Sequence, residues 1–124
     1  MKVNELKDDL IQSQFQVEGN FSELFLSRIE SVIEDINNSK LKIIIRMDDE
    51  GIILKELKSF QFKMSISIIF LNKSWSPTIG FKYNEVYLSD FTFKHLNYAS
   101  SAATRLFVYF SFKNKSIIIK EKGE

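Results

Sequence analysis

"NFSELFLSRIESVIEDINNS", residues 20–39, decides how the chain is divided. Phe21, Leu24, Phe25, Ile29, Val32, Ile33 and Ile36 recur at three- and four-residue intervals, the spacing of one helix face, while Glu23, Glu30, Glu34 and Asp35 lie mostly off it. Asn20 can accept an amide hydrogen bond at the start, and Glu23 three residues on completes a capping-box-like pair. "NNS" at 37–39 is the stop. The spacing predicts a helix from 21 to 36.

Upstream, "KVNELKDDLIQ" places Val3, Leu6, Leu10 and Ile11 on one stripe, a short first helix separated from the second by "EGN". Downstream the period falls to two. "KLKIIIRM", "DDEG" and "IILKEL" (40–57) read as two strands joined by a tight turn, with Gly51 free to take positive φ; a short helix across Ile53, Leu57 and Phe60 is the alternative. In "SFQFKMSISIIFL" (59–71), Phe60, Phe62, Met64, Ile66, Ile68 and Phe70 alternate with polar residues, which describes a strand with one buried face. "NKSWSPTIG" is a loop by its Asn, Ser, Pro and Gly. Further strands are predicted at "IGFKY", at "EVYLS" or a longer segment reaching "FTFKH", at "RLFVYFSF", and at "SIIIKEK" after a "KNK" turn.

The expected fold is therefore α+β: a single domain over 1–124, with two N-terminal helices packed on one face of a curved antiparallel sheet of about six strands. Its central contact is expected between Phe25, Ile29, Val32, Ile33 and Ile36 and the strand bearing Phe60, Phe62, Met64 and Ile66.

Composition narrows the chemistry. The 124 residues are 44% hydrophobic and 27% charged, the profile of one globular domain, and hold no cysteine for a disulfide, a thiol nucleophile or a cysteine-ligated zinc. A single histidine, His95, excludes a histidine-rich metal site and leaves a Ser-His-Asp triad little to work with. Gly19, Gly51, Gly80 and Gly123 stand too far apart for a phosphate loop. The acids of "DDEG" lack the ligand spacing of a calcium loop. No signal-peptide core or membrane-length apolar run is present, so the expected compartment is the cytoplasm. No cofactor and no enzymatic activity are expected.

The net charge of +1 conceals a polarity, because residues 1–50 carry six basic and eleven acidic side chains and the remainder reverses the balance. Glu30, Glu34 and Asp35, with Asp48, Asp49 and Glu50, suggest an acidic face that engages a basic protein partner. The favoured function at this stage is an inhibitor or immunity-type protein neutralising a basic target such as a nuclease toxin. Two alternatives remain. A curved aromatic sheet closed by helices suits a small-molecule or lipid-like ligand, or a pocket enzyme. Lysines interleaved with aromatics in the second half suit single-stranded nucleic acid, although only three arginines occur and no aromatic signature of an RNA-binding sheet is present. "RLFVYFSF" and "IIFL" are apolar on both faces, so Ile69, Leu71, Phe107 and Tyr109 form a self-association face, and a homodimer, if the monomer leaves them bare.

Overall fold

A computed structural model describes residues 14–60, 63–94 and 103–120. The expected first helix, Phe62 and His95 lie outside those residues. Over the described residues the protein is mostly β, with seven strands and two short helices, one of them mid-chain, in place of two helices ahead of a sheet: β1 (Phe15–Glu18), α1 (Glu23–Ser27), β2 (Ile29–Asp35), β3 (Lys40–Arg46), α2 (Ile52–Lys58), β4 (Met64–Leu71), β5 (Pro77–Phe93), β6 (Arg105–Ser111) and β7 (Asn114–Ile119). The expected α+β architecture is thereby corrected.

The largest change falls on the opening stretch. The helix stops after five residues, and Ile29–Asp35 is a strand paired with β3, Ile29 opposite Ile45 and Asp35 opposite Lys40. The deciding residues are β-branched. Ile29, Val32, Ile33 and Ile36 satisfy helical spacing, but their stiff side chains fit a pleated surface better, and β3 needs a second partner for its backbone groups. Ser22, not Asn20, caps α1: its Oγ accepts the Phe25 amide at 3.1 Å and donates to the Glu56 carboxylate, which also accepts the Ser22 amide at 2.9 Å. Phe25 is fully buried, whereas Ile33 and Ile36 are exposed, so the anticipated single stripe does not exist.

Residues 52–58 form the helix that was the alternative, with Ile53 and Leu57 buried one turn apart. "DDEG" leads into it in place of a hairpin. The Asp48 carboxylate accepts the amides of Glu50, Ile52 and Ile53 at 3.2, 2.8 and 2.9 Å, and Gly51 adopts φ 73°. Phe21 ahead of α1, Phe25 within it and Phe60 after α2 pack on one another, and Phe21 and Phe60 meet Phe110 of β6, with neighbouring ring centroids 4.7 to 6.3 Å apart.

The strand order is β1-β4-β5-β6-β3-β2, with β7 also on β5. The register is continuous across the β6–β7 junction: Tyr87 pairs with Ser111 and, three residues along, Asn84 with Asn114, so β5 and β6–β7 make one long ribbon, whose register shifts further on between Leu88 and Asp90. At its middle Glu85 takes φ 52° and the β4–β5 register shifts between Met64 and Ile66. Such a bulge bends and twists a strand. The ribbon's first half thus belongs to β1-β4-β5-β7 and its second to β5-β6-β3-β2. Between the halves lies the core: Ile66, Ile68, Tyr83 and Val86 from one, and Leu41, Ile43, Ile45, Leu106, Val108 and Phe110 from the other.

Candidate functional site

The β2 acids are drawn into the fold. Arg105 of β6 grips the Glu30 carboxylate with Nε at 2.8 Å and Nη2 at 3.0 Å, and this bond holds the carboxyl below its ordinary range. Glu34 accepts the Tyr83 hydroxyl at 2.5 Å and the Lys115 ammonium at 2.7 and 3.0 Å. Asp35 accepts from Asn38 Nδ2 at 2.7 Å. Because this segment is a strand, Glu30 sits near the Ile45 end of the ladder and Glu34 and Asp35 near the Lys40 end, not side by side on a helical turn. Asp48 is committed to α2, its carboxyl held below the usual range first by the Ile53 amide, while Asp49 and Glu50 are exposed.

The four residues proposed for self-association are not brought onto one face. Ile69 and Leu71 are buried, Ile69 on the side of β4 opposite Ile68. Phe107 and Tyr109 alternate with the buried Leu106, Val108 and Phe110, so they face away from the core and are half-buried, with Lys42 Nζ 4.0 Å over the Phe107 ring.

A cleft of about 350 Å³ opens between the two half-sheets beside β2. Phe15, Val32, Leu41, Phe70 and Phe81 supply apolar walls, and Glu34 with Tyr83 supplies the polar end. Lys115 Nζ stands 4.1 Å over the Phe81 ring. Elsewhere the surface carries apolar side chains where polar ones are usual: Ile117 and Ile119 on β7, Ile36 after β2, and Trp75, 66% exposed, at the tip between β4 and β5. Among the described residues, no group of three or more His, Asp or Glu is placed to hold a metal, and no helix is long and apolar enough to cross a membrane.

Sequence reasoning missed Arg105, Tyr83 and Lys115 as partners of the acids, since those pairings are set by strand register. Trp75 was within reach: the chain's one tryptophan stands in a stretch otherwise made of turn formers.

No family profile matches the chain in sequence, and no curated protein does. Solved structures do match in fold. The anti-feeding prophage cap, which terminates that tube, superposes with a TM-score of 0.67 at 11% identity, over 90% of this chain and 92% of the other. A chain of the extended sheath–tube complex of PVC, an extracellular contractile injection system, gives 0.66 at 10% identity over 97% and 99%. Hcp1 from Flavobacterium johnsoniae gives 0.58 at 9% identity over 84% and 94%. The fold is therefore Hcp-like. This likeness corrects the expectation of an inhibitor or immunity protein directed at a basic partner, because the proteins that share the fold belong to tube, cap and secretion assemblies.

Proposed function

We propose that the chain is a non-enzymatic structural subunit of a tube-type assembly of the contractile-injection or type six secretion kind, with copies of itself or homologous subunits as partners. The observation that carries this reading is the match to the tube-terminating cap along nearly the whole of both chains. The surface supports it. Among the described residues β1 pairs only with β4, β2 only with β3, β7 only with β5 and residues 87–93 of β5 only with β6, leaving four strand edges whose backbone groups are free to meet another subunit. Ile117 and Ile119 beside one edge and Ile36 beside another are side chains that an interface would cover. Contacts between two different patches on identical subunits close into rings or continue as filaments, the two geometries a tube needs. Negative-stain electron microscopy of the concentrated protein tests this. Rings or stacked rings are expected; isolated small particles at every concentration would refute it.

A further inference from the structure

The tip between β4 and β5 is built as a rigid knob. Asn72 Oδ1 accepts the amides of Ser74 and Ser76 at 2.9 and 3.0 Å, the Asn72 carbonyl accepts the Trp75 amide at 2.9 Å, and the Asn72 amide donates to the Ser76 carbonyl at 2.9 Å. That network holds Trp75 at φ 63°, a conformation bulky L-residues rarely adopt, with its ring in solvent. Non-glycine residues held at positive φ cluster at binding, active and switch sites. An anchor already fixed in place loses little freedom on binding, and tryptophan is among the residues that dominate interface energetics.

The same chain carries a matching receptor. The cleft beside β2 is walled by aromatic and aliphatic side chains, and its volume of about 350 Å³, at the small end for a binding pocket, has room for one large side chain. A buried indole needs an acceptor for its N–H. Glu34 lines the cleft, and its carboxylate accepts three bonds, from Tyr83 and twice from Lys115, which leaves one lone-pair direction.

We infer that Trp75 of one copy enters the cleft of a neighbouring copy, its indole N–H donating to Glu34, so that a heterologous knob-and-cleft contact joins successive subunits. This rests on the self-assembly reading and names a surface for it. The contact is not self-complementary at one patch, so each copy uses its knob on one neighbour and its cleft on another, the arrangement that propagates.

Trp75 is the chain's sole tryptophan, so its fluorescence reports the contact directly. Emission and light-scattering mass are followed together over a wide concentration range. The expected result is a blue shift and reduced acrylamide quenching that track the rise in mass. Trp75→Gly removes the knob while relieving the positive φ, and Ile33→Glu places a charge at the cleft rim on an exposed position; each should weaken association by at least about tenfold. Mixing the two variants pairs an intact cleft with an intact knob, and should restore the shift and yield a heterodimer. Assembly with Trp75 emission unchanged would overturn the knob-and-cleft contact and leave the tube reading standing. A shift without a rise in mass would overturn it too, by showing the indole covered within one chain or by a small ligand. Monomer at every concentration would overturn both.

Discussion

Tyr83 of β5 donates its hydroxyl hydrogen to Glu34 of β2 at 2.5 Å, a bond that ties the two half-sheets together at the polar end of the cleft. Burial, then the hydrogen bond and the charge of Glu34, push the phenol well above the ordinary tyrosine range. The folded state therefore favours the neutral ring. Its contribution to stability is fully present below about pH 10, where an unfolded tyrosine ionises, and is lost as pH rises toward the folded value. Tyr83→Phe should cost about 1–3 kcal/mol at neutral pH, read from the urea midpoint, since it removes a bond to a charged acceptor. The variant should also lose stability less steeply above pH 10. An unchanged alkaline limb would show that Tyr83 is not linked to folding.

Asp48 makes the opposite pH prediction. Its carboxyl is held below the usual value by the amides that open α2, so its contribution is present above the unfolded pKa and is lost as pH falls through the depressed one. Asp48→Ala should lower the melting temperature at pH 7 and make little difference in strong acid. Asp48→Asn, which keeps an acceptor, should fall between. Equal losses at both pH values would place the effect elsewhere.

Phe25 and Ile33 separate a strand from a helix over residues 29–35. On a continuous helix both would belong to one buried stripe. In the fold Phe25 is fully buried and Ile33 is 48% exposed. Phe25→Ala should cost about 3–5 kcal/mol, and Ile33→Ala within about 0.5 kcal/mol of nothing. Chemical denaturation of the two variants decides between them, comparable losses favouring the helix.

The strands read from β-branched and aromatic runs at 40–46 and 105–111 were legible. Leu41, Ile43 and Ile45 of β3 and Leu106, Val108 and Phe110 of β6 all point to the core at period two, although Ile44, Phe107 and Tyr109 make both runs apolar on the other face as well. The stretch after Arg28 was not, because Ile29, Val32, Ile33 and Ile36 obey helical spacing, and only their β-branching signalled a strand. At "DDEG" the same letters serve a hairpin turn or a helix start, and the choice falls to where the Asp48 side chain finds amides. For the site, the β2 acids were visible while their partners were not. Glu30 and Arg105, or Glu34 and Lys115, meet only after β3 has joined β2 to β6 and the ribbon has bent at Glu85.

Gly80 tests the packing of the ribbon's first half. It faces Ile69 on β4, and a Cβ there would overlap the Ile68 carbonyl oxygen and come within 2.9 Å of Ile69 Cα, both backbone atoms that cannot swing away. Gly80→Ala should destabilise by about 1–3 kcal/mol, checked by thermal unfolding. A neutral effect would mean that β4 and β5 sit further apart.

Sedimentation velocity of the wild-type chain across a broad concentration range tests the central claim most directly, that this Hcp-like fold is a self-assembling tube subunit. The account predicts a species heavier than the monomer that grows with concentration and resolves into a discrete closed oligomer or a stacking series. A single monomeric boundary throughout, with the chain folded by circular dichroism, would contradict it.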